Sequence, residues 1–407
     1  MRRVAVTGAG ALTPLADSPA GLHAALCAGR SGLKPIELFP LDGLGPRVAG
    51  EIRPFEPREY LGDRNLRPVD RTARLLLVAT QRALEASGWT AEMRATREVG
   101  LALGTMFCSV HTIAEFDRRA LQLGPNYASP LDFANSVINA AAGQAAIWHG
   151  LRGINSTLAG GESASLMALG YALDLIRHGH AGALLAGGVE ELCYESFVGF
   201  DRAGRLGERP VPFDARRDGF ALAEGAAALM LEDAEGAAAR GARILAELRG
   251  HGEAFDPSAG SDEALASATV ARAVRLALED AEVGPEELDL LVLGANGSVR
   301  GDRGEARGVA EALGSPAADV PVAAPKAMLG EALGASGAFQ AVAALGVFQD
   351  GRLPGILGLE QAEEGLPLGN LAATTRQLER RPRLALLHAM STDGQSCAVV
   401  LESLGAA

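Results

Sequence analysis

The residues best placed to do chemistry are Gly160-Gly161-Glu162-Ser163-Ala164-Ser165, a tight turn that runs into an apolar helix. A side chain delivered by such a turn sits at the positive end of a buried helix, a position that stabilises an anion or a nucleophilic thiolate. Here the side chain is Glu162, a carboxylate. Its plain structural role would be to complement the helix dipole and bond amides at the helix start; a tie to the segment around Asn296 and Ala389 is the other option.

The remaining candidate groups exclude several chemistries. Cys27, Cys108, Cys193 and Cys397 are far apart and lack paired ligand spacing, so they read as reduced thiols and no metal site is expected. Only Cys108 and Cys193 fall near predicted strand ends, and neither is followed by the helix N-terminal signature that activates a thiol. Gly8-Ala9-Gly10 lacks a third glycine at the required spacing and no acidic residue ends a second strand, so a dinucleotide is not expected, nor any other cofactor.

Positioning these groups falls to alternating strands and helices. From Ser163 to Arg177 the residues Ala164, Leu166, Met167, Leu169, Gly170, Leu173 and Ile176 leave almost no polar face, as in a helix buried on most sides. Arg177, His178 and Gly179 supply a basic last turn and a left-handed cap. Ala181 to Gly188 then reads as a strand of a covered sheet. Val4 to Gly8 is a strand and turn, Asp70 to Gly88 an amphipathic helix, and Val99 to Gly104 a buried strand. Thr105-Met106-Phe107-Cys108-Ser109 leads from that strand into a helix ending near Leu123, and Asn135 to His149 is a small-residue helix. Further on, helices are expected over Ala234 to Gly241 and Glu263 to Ala281, with strands over Arg243 to Gly250, Leu288 to Gly294 and within Leu384 to Leu401. Pro35 to Asn65, rich in proline, glycine and charge, reads as an irregular excursion. Two halves of similar rhythm emerge, 1–242 and 243–407, and the alternation implies α/β layering with helices on both sheet faces.

With 407 residues and no uncharged apolar run of 18, the chain has room for one large or two fused medium domains and no expected membrane contact. A formal net charge of −13 argues against nucleic acid, while local basic patches remain able to receive an acidic carrier. Met1-Arg2-Arg3 leads directly into a strand with no signal peptide, so a cytoplasmic location is expected.

Several motifs together resemble the β-ketoacyl synthase family, over essentially the whole chain. Asp214-Ala-Arg-Arg-Asp-Gly-Phe-Ala-Leu-Ala-Glu-Gly-Ala is similar to a family loop. Gly153, the Glu162 turn, Ala186-Gly187-Gly188 and Glu190 keep the family spacing around its nucleophile, and Lys326 to Ala338 keeps its lysine-to-glycine stretch. The resemblance implies a thiolase-like α/β fold, two similar halves in a five-layered αβαβα arrangement. It also implies that the family's cysteine nucleophile falls at Glu162, its first histidine at Asn296 and its second at Glu331, with Lys326 retained. A carboxylate cannot form the acyl thioester of condensation, and losing both histidines removes carbonyl polarisation and donor activation. The phenylalanine-and-glycine gate of active members is replaced by Ala389-Met390-Ser391-Thr392-Asp393-Gly394-Gln395.

An intact scaffold with an emptied site resembles the chain length factors of type II polyketide synthases, where glutamine is common at this position. The resemblance implies no catalytic residue in this chain, a catalytic ketosynthase subunit as heterodimer partner, and an acyl carrier protein bearing malonyl or a growing chain. The product, aromatic or polyene, is open. Alternatives are a malonyl-carrier decarboxylase and an active synthase with another nucleophile. In the family resemblance the helix after Ser109 crosses the dimer interface and closes the partner's acyl tunnel. Ser109, Thr112 and Phe116 share one helical face, so Thr112 and Phe116 are the expected chain-length gate, with Met106, Phe107 and Cys108 as neighbours.

Overall fold

The computed structural model describes residues 1–45, 48–63 and 66–404. Ten strands form its frame: β1 (Val4–Leu12), β2 (Gly100–Thr105), β3 (Asn155–Ala159), β4 (Ala183–Glu190), β5 (Gly225–Asp233), β6 (Ala246–Phe255), β7 (Leu290–Leu293), β8 (Val322–Ala323), β9 (Leu384–Met390) and β10 (Gln395–Glu402). Their spatial order is β8-β7-β9-β10-β6-β1-β5-β4-β2-β3. Outward from the centre, β1-β5-β4-β2-β3 and β6-β10-β9-β7-β8 follow the same scheme, two antiparallel pairings and then two parallel ones. The two sets of five meet where Val4–Val6 pair antiparallel with Ala246–Leu248.

The helices that position the site are α1 (Arg71–Ser87), α2 (Val110–Leu123), α3 (Ala140–His149), α4 (Ala164–Arg177), α5 (Glu263–Ala281), α6 (Val299–Leu313) and α7 (Ser336–Asp350). α4 and α7 lie against each other and against strands of both sets, forming the middle layer. Their composition dictates that place: Ser336 to Ala344 of α7 are all buried, and a helix apolar all round must be enclosed. α1 and α3 cover one outer face, α5 and α6 the other, which completes the expected five layers. Helix starts follow from local chemistry: the Asp70 carboxylate accepts from Ala73 N at α1, and Asp262 accepts from Ala264 N and Leu265 N at α5. Gly8-Ala9-Gly10 serves packing, since a Cβ at Gly10 would stand 2.1 Å from Ala79 O of α1.

Three expectations need correction. The helix expected from Asn135 begins only at Ala140, because Asn135 ends a one-turn helix, Pro130–Ala134, and its amide side chain donates to Pro68 O at 2.8 Å. The strand expected over 243–250 starts at Ala246 and runs on to Phe255, held on both sides by β1 and β10. Within the excursion expected from Pro35, Lys34–Pro35 pairs with Val48–Ala49, and Pro57–Leu61 is helical; residues 46, 47, 64 and 65 lie outside the described residues. Among the described residues no helix is long and apolar enough to cross a membrane.

Candidate functional site

β3 ends at Ala159, and the chain turns through Gly160 and a single 3-10 turn, Gly161–Ser163, into α4. Gly161 has φ 57°, and a Cβ there would stand 1.8 Å from Ser391 Oγ, so only glycine fits. The turn buries Glu162 to 1% exposure. Its Oε2 accepts from Ser391 Oγ at 2.5 Å and Thr392 N at 3.1 Å, both in the turn between β9 and β10. Glu162 is thus tied to the last hairpin. Its Oε1 is buried without a hydrogen-bond partner. Burial first, and then the charge of Glu331, push this carboxyl upward, which favours the neutral acid.

Glu331 lies between the short helix Lys326–Leu329 and α7, and is fully buried. Its Oε2 accepts from Lys326 Nζ at 2.6 Å and Asn296 Nδ2 at 2.8 Å. Its Oε1 accepts from Ser336 Oγ at 2.7 Å and Leu333 N at 3.0 Å. Asn296 follows β7, with its Oδ1 accepting from Ser298 N and its own N–H donating to Asp302 Oδ1. Asn296, Glu331 and Lys326 therefore form one bonded cluster in which the cation and the anion neutralise each other. Glu162 shares with Asn296 a cavity of about 60 Å³, also lined by Glu305, Ser391 and Thr392. That space falls well short of the ~300–1,000 Å³ of a ligand pocket.

The arrangement carries no activated nucleophile among these residues. Cys108 stands at the start of the helix expected after Ser109, the N-cap of α2, and Cys193 caps the helix Tyr194–Arg202, which the sequence did not signal. Yet burial, reinforced by Glu190 and Glu191 respectively, pushes each thiol up to about 12, the reverse of activation. The Asp214 loop is structural. Arg217 pairs with Asp302 at 3.1 Å and Glu363 at 2.6 Å, and Glu224 pairs with Arg71 at 2.6 Å.

The expected gate residues differ in exposure and in neighbours. Thr112 is half-buried and its Oγ1 donates to Asp70 Oδ2 at 3.2 Å; the half-buried Phe116 ring lies 5.9 Å from that of Phe133. Met106 is half-buried, Cys108 buried, and Phe107 exposed beside Phe200. No residue of α2 is buried, and the surrounding stretch exposes Leu121, Leu123, Tyr127, Phe133, Val137 and Ile147.

Two arrangements escaped the sequence reading. Glu190 gathers backbone N–H groups from two separate turns. His388, fully buried, shares Nδ1 with Glu305 at 2.6 Å and Nε2 with Ser396 at 2.8 Å, stitching the hairpin that holds Glu162 to α6. Partners so distant in sequence leave no local signal; the only hint was a glutamate closing the apolar run of β4.

Comparison with known proteins bears on this geometry. Residues 1–237 match the β-ketoacyl synthase N-terminal domain and residues 245–360 its C-terminal domain. The 3-oxoacyl-(acyl-carrier-protein) synthase 2 of Vibrio cholerae is 31% identical over 93% of this chain and 94% of its own length. The tetracenomycin polyketide synthase ketoacyl synthase beta subunit of Streptomyces glaucescens is 32% identical over 99% of this chain and 98% of its own. A solved ishigamide ketosynthase/chain length factor superposes with a TM-score of 0.92 at 29% identity, covering 99% of this chain and all of that one.

Proposed function

This chain belongs to the β-ketoacyl synthase family, and we propose that within it the chain is a non-catalytic chain length factor, pairing with a catalytic ketosynthase and shaping the tunnel that sets polyketide length. The observation that carries the reading is Glu162, a buried acid bonded to Ser391 and Thr392 beneath the last hairpin, at the position the resemblance assigns to the nucleophile. Condensation needs a thiolate and donors aimed at a carbonyl oxygen. In their proposed places stand Glu162, Asn296 and Glu331, and Glu331 is itself engaged as an acceptor by Lys326 and Asn296.

Exposed apolar side chains on and around α2 suit a partner subunit, as hydrophobic groups of this size seldom cluster on a monomer's surface. The partners proposed are a ketosynthase subunit and an acyl carrier protein, and the proposed halves are 1–242 and 243–407. Identity to a 3-oxoacyl synthase favours a condensing enzyme as the second reading. The elevated thiols of Cys108 and Cys193 oppose it.

The test is condensation of malonyl carrier by the chain alone and with a co-expressed ketosynthase. The pair should make product and the chain alone none. Product from the chain alone overturns the reading.

A further inference from the structure

Four non-glycine residues have positive φ among the described residues, and two of them, Cys108 (φ 53°) and Leu333 (φ 46°), lie in turns that touch. A Cβ on Gly334 would stand 2.4 Å from Thr105 Cα, so the two backbones are in direct contact. Left-handed conformations at such residues are strained and persist only where the surroundings over-determine them. Here the determinant is one buried carboxylate at the end of β4. Glu190 Oε1 accepts from Phe107 N at 2.9 Å and Cys108 N at 2.8 Å, and Oε2 from Met106 N at 2.7 Å and Gly334 N at 3.2 Å. Thr105 Oγ1 takes a second branch from Cys108 N at 3.0 Å and stands 3.3 Å from both carboxylate oxygens.

α2 begins directly after the first of these turns and has few other anchors. It buries no side chain, and its N-cap, Ser109, makes no capping bond. Its further ties are polar contacts at partly exposed groups, His111 N to Glu191 and Thr112 Oγ1 to Asp70, both at 3.2 Å, the His111 ring to Glu195 at 3.1 Å and Arg119 to Asp132 at 3.4 Å, together with the Phe116 ring on Phe133. The second turn adjoins Glu331, whose Oε1 accepts from Leu333 N.

We propose that Glu190 is a positioning residue that clamps the turn before α2 to the turn beside Glu331, and so sets where α2 stands as the wall of the partner's tunnel. The inference rests on the chain-length reading given above. A carboxylate suits this post because it accepts through both oxygens; a glutamine would turn an N–H₂ toward backbone N–H groups.

The test uses the chain co-expressed with a catalytic ketosynthase and a carrier protein, fed malonyl-CoA, with Glu190→Gln, Glu190→Asp and Thr105→Val. Glu190→Gln should change the ratio of the main product to its shorter and longer neighbours several-fold while the pair still assembles. Backbone hydrogen exchange should rise together at 106–108 and at Gly334, and Glu190→Asp, which keeps both oxygens, should restore part of each effect. An unchanged ratio in an assembled pair, or faster exchange at one turn only, overturns the proposal. Should Glu190→Gln fail to assemble, Thr105→Val, which removes only the hydroxyl's bonds, is judged by the same two readouts. Phe116→Ala separates the two ideas. If it shifts product length and Glu190→Gln does not, the clamp is wrong; if neither does, the role of α2 in the chain-length reading is wrong and the proposal falls with it.

Discussion

Glu331 accepts a hydrogen bond from each of four donors, and one of them, Lys326, is itself 4% exposed. Glu331→Ala would leave that ammonium buried and unpaired, and should destabilise the protein by about 3–5 kcal/mol in urea denaturation. The double variant Lys326→Met/Glu331→Leu should recover most of the loss, because no buried charge is left unpaired. Glu162 behaves differently, since its environment already favours the neutral acid. Glu162→Gln keeps an acceptor for Ser391 and Thr392 and should cost under about 1 kcal/mol, whereas Glu162→Ala strands two donors and should cost about 1–3 kcal/mol. Glu162→Cys should form no product alone, because it restores neither of the histidine donors whose places the resemblance assigns to Asn296 and Glu331; condensation by that single variant would contradict this. Burial also lifts Asp302 to about 6, Glu190 to about 7 and Glu191 to about 8. Each binds its proton more tightly folded than unfolded, so stability falls as pH rises from their unfolded values near 4 to about 8. Urea midpoints should be lower at about pH 8 than at about pH 5, and Glu191→Gln should flatten the difference.

At the level of elements, the discriminating helix is α2. Phe116 is half-buried against Phe133. Phe116→Ala should therefore cost less than the roughly 3–5 kcal/mol of an emptied core phenylalanine, while product length from the reconstituted pair moves. An unchanged product in a folded pair, with Phe116→Trp equally silent, rules out Phe116 as gate. Where β1 packs on α1 the opposite holds: Gly10→Ala would drive a methyl into Ala79 O and should destabilise by about 1–3 kcal/mol. Much of this architecture was legible because burial patterns are local. The stripe of Leu75, Leu76, Ala79 and Ala83 announces α1, and the unbroken apolar run of α4 announces a middle layer. Boundaries set by distant partners were not. Asn135 sits in an alanine-rich pattern that invites a helix, but its amide is committed to Pro68 O. The place of Glu162 was readable from spacing, whereas its bond to Ser391 spans 229 residues and leaves no trace in either segment alone. The helix start at Cys193 was missed because that helix begins without a recognisable cap residue.

For the whole molecule, the exposed side chains around α2 predict that the chain co-purifies with its ketosynthase as a stable pair and is poorly behaved alone. Sedimentation of a monodisperse monomer with condensing activity would refute this. A last consequence follows from β1, which occupies the middle of the ten strands between β5 and β6. It precedes both of its neighbours in the chain, and its pairing residues begin only at Ala226. During synthesis it must therefore wait, unpaired, for more than half of the chain to follow. A nascent chain stopped before Gly225 holds β1 with neither neighbour, and should be digested by protease and captured by chaperones. One released beyond Phe255 has both neighbours in reach and should begin to resist. Non-local pairing of this kind makes folding slow and exposes apolar strands on the way. The yield of this protein in a heterologous host should accordingly respond more to translation rate and chaperone supply than to changes on its surface.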